Sequence, residues 1–197
     1  MEDKEALEWE ELSSEPVIQD KWINLSRVKY RLPDGKEIES YYKYSRINFV
    51  VVIASDKLGR YICVRQFRAG INKSVLEFCA GGIEKSGAGE HRVTPEEGAV
   101  FEEALDAAKR ELAEETGYAS DEWDKIICVP AYPTLADNYA YIYRAKNCEK
   151  IFEQRLDDTE FLKVELISEK DLNDFIASGD FCQPIHIMGY LMDKNIR

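Results

Sequence analysis

The sequence predicts an α/β protein in which short strands, mostly in antiparallel hairpins, are interleaved with helices. Three observations carry this prediction. Continuous apolar runs, Phe49 to Ala54 and Tyr61 to Val64, flank the turn residues Ser55 to Gly59, which is the pattern of buried strands joined as a hairpin. Residues 102–118 are dominated by Ala, Leu, Lys, Arg and Glu, all good helix formers. Gly117 then stands where a helix C-terminus favours a left-handed residue. Finally, the strand-like run Phe161 to Leu166 is followed by Ser168-Glu169-Lys170-Asp171, a helix start whose apolar stripe is Leu172, Phe175 and Ile176.

Composition bounds the class. At 197 residues, with 45% hydrophobic and 11% aromatic content, the chain supports one packed domain and a small N-terminal appendage. We place the boundary at 1–46 and 47–197. The net charge of −12 argues against a nucleic-acid partner, which needs a basic surface. It leaves room for a small anionic substrate, because a bound metal and a few arginines invert the local field. The five cysteines form no Cys-x-x-Cys pair and several lie in apolar runs, so reduced core residues of a cytoplasmic protein are expected. Two widely separated histidines disfavour a His-based zinc site. The first fifteen residues are acidic, unlike a signal peptide, and no apolar run reaches the roughly twenty residues that span a membrane.

Taken in order, residues 1–15 are mostly charged and read as helical or loose. Ile23 to Leu32 alternates apolar and polar residues, Pro33-Asp34-Gly35-Lys36 supplies a turn, and Glu37 to Tyr44 returns. The expectation is a two-stranded ribbon, dense in aromatics (Trp22, Tyr30, Tyr41, Tyr42, Tyr44). Such a ribbon cannot bury both faces on itself and needs another surface. Beyond residue 118, Ile126 to Pro130 and Tyr139 to Ala145 read as strands, and Asn147 to Asp158 as a mobile acidic loop. Gly179-Asp180 ends the helix opened at Ser168. A last helix over 183–194 is expected to dock by Ile185, Met188 and Leu191.

The stretch that organises the chain is 102–118. Leu105, Ala108 and Leu112 form one apolar stripe, while Glu111, Glu114 and Glu115, at i, i+3 and i+4, share another face. Three carboxylates near a helix C-terminus repel one another and the helix dipole. A hard divalent ion with oxygen ligands would offset that repulsion. For a lone Glu-Glu pair a solvated acidic face would suffice as explanation, but the pattern here is longer. Glu102, seven residues, then Arg110-Glu111-Leu112-Ala113-Glu114-Glu115-Thr116-Gly117-Tyr118 resembles the second half of the Nudix box. Leu76-Glu77-Phe78-Cys79-Ala80-Gly81-Gly82-Ile83-Glu84 is similar to the Glu-Leu-Pro-Ala-Gly segment of the family's ADP-ribose pyrophosphatase branch. Two departures stand out. Cys79 replaces the usual proline, and twenty residues separate Gly81 from Glu102 where the family has five. The inserted stretch, Lys85 to Val100, reads as an exposed loop. Within it Thr94-Pro95-Glu96-Glu97 resembles a capped helix start, so the box helix is expected to begin early.

The resemblance implies a Nudix α/β/α sandwich with a mixed sheet, and a hydrolase of diphosphate linkages that uses magnesium or manganese. By motif position, Ala80 (through its carbonyl), Glu111, Glu114 and Glu115 form the metal set. Glu160 is the general base chosen among Glu153, Asp157, Asp158 and Glu160, with Glu114 assisting. Arg110 and Glu102 form an orienting salt bridge, and Gly117 closes the box. Arg65, Arg68, Glu77, Gly81 and Pro133 are the implied substrate-side residues; the two arginines suit a diphosphate because a guanidinium binds phosphate oxygens two at a time. The implied substrate is a nucleoside diphosphate sugar, ADP-ribose first, and the implied assembly a homodimer built through the N-terminal ribbon. GDP-mannose, a dinucleotide polyphosphate, a nucleoside triphosphate, or a non-catalytic nucleotide sensor on the same fold remain the alternatives.

Overall fold

The computed structural model of the chain describes residues 7–20, 23–84 and 103–195. It opens with an antiparallel meander of three strands, β1 (Glu10–Gln19), β2 (Asn24–Arg31) and β3 (Glu37–Ser45). The β2–β3 connection closes at Gly35, whose φ of +84° suits glycine. The expected two-stranded ribbon is thus corrected to three strands, and residues 10–15, read as helical or loose, belong to β1. The reason is pairing. β1 is exposed along nearly its whole length, so it lacks an apolar pattern of its own. Its acidic side chains instead meet cations across the sheet: Glu15 to Arg27 at 2.8 Å, Glu10 to Arg31 at 2.6 Å and Glu11 to Lys43 at 3.1 Å. Trp9, Tyr30 and Tyr41 pack edge-to-face, with centroids 5.7 to 5.8 Å apart. Trp22 lies outside the described residues.

The remaining strands form a second sheet. They are β4 (Phe49–Asp56), β5 (Tyr61–Arg68), β6 (Lys73–Gly82), β7 (Tyr118–Ala119), β8 (Glu122–Pro130), β9 (Tyr139–Lys150) and β10 (Leu162–Ile167). Among the described residues their order is β10-β5-β6-β4-β9-β7, with β8 also paired to β9. β4 and β9 run parallel and the other pairings are antiparallel, so the sheet is mixed. Period-two alternation sorts the strand residues onto two faces. Val50, Val52, Ala54 and Cys79 pack against α1 (Ala104–Glu111). Val51, Ile53, Cys63 and Phe78 pack against α2 (Glu169–Ser178) and α3 (Pro184–Asn195). The result is the α/β/α sandwich with a mixed sheet.

The ends of α2 follow their sequence signals. The Ser168 hydroxyl accepts from the Asp171 amide at 3.2 Å, and Gly179 closes the helix with φ +78°. Two other expectations are corrected. Asn147 to Lys150 is not a loop but the end of β9, because backbone pairing to β7 and β4 holds polar residues that carry no strand signal themselves. Leu191 of α3 is 48% exposed, and the helix docks by His186, Gly189, Tyr190 and Asp193, with Ile185 and Met188 partly buried. The inward polar groups have partners: His186 Nδ1 accepts from the Phe78 amide at 3.2 Å, and Asp193 binds Arg144 at 2.6 Å. Hydropathy alone therefore finds Ile185 and Met188 but misses the polar residues His186 and Asp193 at the centre of the buried face. The insertion and Thr94 lie outside the described residues, but the expected early start of the box helix is corrected: α1 begins at Ala104, and Glu103 before it is extended, with φ −67° and ψ 142°.

Candidate active site

Alternation along β6 places Glu77, Cys79 and Gly81 on the face toward α1, with Phe78 on the other. Glu77 is fully buried and gripped by Arg68 of β5 through two bonds of 2.6 and 2.8 Å, a bidentate charge-assisted pair. Arg65 stands apart. Residues three apart on a strand point to opposite faces, and Arg65 pairs with Glu165 at 2.9 Å, its guanidinium 5.9 Å from the Phe175 ring centroid on α2. The expectation that both arginines address one diphosphate is thus corrected: Arg68 joins the box carboxylates and Arg65 does not.

After Glu111 the helix widens into a π turn, Leu112–Thr116, which ends at Gly117 with φ +75°. The buried Thr116 hydroxyl donates to the Leu112 carbonyl and accepts from the Tyr118 amide, a local competition for the helical ladder. Single π turns concentrate at functional sites. Glu111 and Glu115 are 7% and 3% exposed, whereas the Glu114 side chain is 43% exposed. Arg110 donates to Glu111 at 2.9 Å, to Glu114 at 3.0 Å and to the Gly82 carbonyl at 2.9 Å. It thereby fastens the helix to the end of β6. Its expected partner Glu102 lies outside the described residues.

Gly81 faces Glu111 so closely that a Cβ there would stand 2.0 Å from the carboxyl carbon. Glu115 Oε2 accepts from the Ala80 amide at 3.3 Å, and the buried Cys79 thiol acts against the upward shift of the same carboxyl. No role for Cys79 followed from the sequence, although the period-two run Glu77-Cys79-Gly81 places it there. Burial pushes the Glu111 carboxyl up to about 7 and that of Glu115 up to about 8. Glu160 adds to both shifts by charge repulsion, so it lies within the field of the site. A tight turn holds it: its amide donates to the Asp157 carbonyl at 2.9 Å and its carboxylate accepts from the Asp157 amide at 3.1 Å. Pro133 is exposed in the loop on which β3 rests, where Tyr41 Oη donates to the Thr134 carbonyl at 2.7 Å.

These shifts predict a pH dependence for the metal-free protein. A carboxyl whose folded pKa is raised binds a proton that the unfolded chain has released, so stability falls as pH rises toward the folded pKa. Buried His186, held neutral with its pKa lowered to about 3, acts oppositely below about 6.5. The carboxylates are therefore read between about pH 6.5 and 8, where melting in a chelator should move to lower temperature with rising pH. Excess divalent ion should abolish or invert the slope, since metal displaces the protons. A melting temperature independent of pH across that window, with and without metal, would contradict the assignment.

The NUDIX domain family model matches residues 45–181, which takes in β4 through α2 and the whole box. The chain belongs to the Nudix family. It is a Nudix hydrolase, and it is 29% identical over 176 residues to an ADP-ribose pyrophosphatase of Bacillus subtilis (strain 168), covering 89% of this chain and 86% of that one. It is also 28% identical to a methanol dehydrogenase activator of Bacillus methanolicus, over 82% and 80% of the two chains. The crystal structure of an ADP compounds hydrolase shares the fold with a TM-score of 0.76 at 18% identity, over 95% of this chain and 92% of that one.

Nudix hydrolases generally act with a divalent metal, and the chemistry of this donor set suits one. Among the described residues no three carboxylate, imidazole or thiol groups gather closely enough to chelate an ion alone, and Glu114 is engaged by Arg110 at 3.0 Å. Two buried carboxylates with raised pKa remain, beside the Ala80 backbone. Magnesium is commonly held by one or two carboxylates, with water and substrate phosphates completing its shell, so the residues fit the group.

Proposed function

We propose that this Nudix hydrolase cleaves the diphosphate linkage of a nucleoside diphosphate sugar, ADP-ribose first, to AMP and ribose 5-phosphate. The observation that carries the reading is the burial of Glu111 and Glu115 against Ala80 and Gly81, two carboxylates held with raised pKa where a cation would be stabilised. The relationship to the Bacillus subtilis ADP-ribose pyrophosphatase supports the substrate. Glu111 and Glu115 with the Ala80 carbonyl would hold magnesium or manganese. When bound, such an ion neutralises diphosphate charge and lowers the pKa of a coordinated water. Glu160 takes the proton of the attacking water, and Glu114 assists. Arg110 orients the helix on β6. Arg68, fixed by Glu77, presents its cation toward the same region. Free thiols at all five cysteines agree with a cytoplasmic location, and among the described residues no helix is long and apolar enough to cross a membrane.

Turnover of ADP-ribose, GDP-mannose, a dinucleotide polyphosphate and a nucleoside triphosphate with magnesium, read by coupled phosphate release, tests the substrate. ADP-ribose is expected to lead in kcat/KM by about tenfold or more. A higher value for another compound would reassign the substrate, and no turnover of any would favour a nucleotide sensor.

The N-terminal meander, residues 1–46 in this reading, is the dimerisation element. Its exposed Trp9, Val17, Ile18 and Tyr42 offer apolar surface on a thin sheet that a second copy would cover. Deleting residues 1–44 is expected to give monomer or aggregate with weakened substrate binding. Light scattering that reports a monomer for the full chain at micromolar concentration would rule the dimer out.

A further inference from the structure

Four backbone amides or side-chain donors from the segment after β9 converge on the end of the box helix. The Ile151 and Phe152 amides each donate to the Gly117 carbonyl at 3.0 Å, the Arg155 amide donates to the Glu114 carbonyl at 2.9 Å, and Gln154 Nε2 donates to the Glu115 carbonyl at 2.7 Å. The last carbonyls of a helix have no partner within it, and here residues 151–155 supply them. Gln154 is the one side chain in this set. It grips the peptide of Glu115 itself, whose carboxylate faces Ala80 on the other side. Three residues beyond Gln154, the Asp157–Glu160 turn begins, and it holds Glu160 by both its amide and its carboxylate. Only Leu156 separates the anchored residues from that turn, so the position of Glu160 is referred to the helix end through a short, hydrogen-bonded strap.

We infer that Gln154 is a positioning residue that, through its bond to the Glu115 carbonyl, fixes Glu160 at working distance from the carboxylates of the π turn. The inference rests on the assignment of Glu160 as general base. Misplacement of a catalytic group by about 1 Å costs up to about a hundredfold in rate, so a bond that sets this distance has a kinetic consequence larger than its exposure suggests. Sequence spacing could not reveal it, because a glutamine in a polar loop carries no motif and its partner is a backbone carbonyl 39 positions away.

The test uses the full-length enzyme with ADP-ribose and magnesium. Gln154→Met keeps the length of the side chain and removes the donor; Gln154→Lys restores one. Gln154→Met is expected to lower kcat about tenfold or more with KM within about twofold, and Mn2+ binding to the free protein, followed by electron paramagnetic resonance, should stay within about twofold. Gln154→Lys should recover most of kcat. In a Glu160→Gln background the Gln154→Met substitution should cost nothing further, since the group it positions is already lost. Unchanged kcat in Gln154→Met while Glu160→Gln is strongly slowed would overturn this inference alone. A full additional loss in the Glu160→Gln background would overturn it as well, showing a merely structural role. A fully active Glu160→Gln enzyme would remove the general-base assignment and this inference with it.

Discussion

Glu115→Gln is expected to lower kcat by at least about a hundredfold, since losing a metal ligand removes several kcal/mol of transition-state stabilisation. The fold should survive. Glu115 is 3% exposed and its carboxyl is pushed up to about 8, so near neutral pH the metal-free side chain is largely protonated. A glutamine amide reproduces the neutral form in size and polarity, and the acceptor for the Ala80 amide at 3.3 Å is retained. The substitution also removes repulsion with Glu111 and Glu160, so the metal-free melting temperature should rise slightly between about pH 6.5 and 8. The two readouts then move in opposite directions, which separates loss of chemistry from loss of structure. Near-normal turnover at saturating magnesium would sink the assignment of Glu115 to the metal set.

Gly81→Ala should also abolish most activity, by a different route. The added methyl would stand 2.0 to 2.3 Å from the carboxyl atoms of Glu111, far inside van der Waals contact. The backbone of Gly81 has no left-handed conformation, so alanine is unstrained there. What must move is the far end of the Glu111 side chain. Because that end is flexible, the melting temperature should change by only a few degrees. The displaced carboxylate should nonetheless cost about a hundredfold in kcat, the scale of a misplaced catalytic group, together with weaker metal binding. Isothermal titration with magnesium and steady-state kinetics read both effects. A variant that binds metal and turns over normally would show that Glu111 holds the ion elsewhere or not at all.

These expectations also mark what the sequence carries and what it omits. The box residues Arg110 to Gly117 were legible because one helix end delivers them together, so spacing along the chain is already spacing in the site. α2 was legible for the same reason: Ser168 and Gly179 are local signals, and the caps they form are local bonds. Arg65 and Arg68 were not correctly sorted, because their spacing of three sends them to opposite faces of a strand, and only the sheet shows what lies on each face. The first part of β1, residues 10–15, carries no strand pattern because its strand character comes from Arg27, Arg31 and Lys43 across the sheet, whereas Val17-Ile18 reads as β-like in the sequence itself. The docking face of α3 is legible only in part: Ile185 and Met188 meet the core and Leu191 does not, because His186 and Asp193 are buried on the strength of partners at Phe78 and Arg144. The sequence by itself thus determined the family, the class of fold and the carboxylates of the box, all features written in local order. The tertiary structure alone decided that Gly81 stands against Glu111, that the Ala80 amide meets Glu115, and that residues 151–155 supply the last carbonyls of the box helix. Each of these joins segments tens of residues apart, through backbone groups or the absence of a side chain, and neither leaves a periodic trace in the sequence.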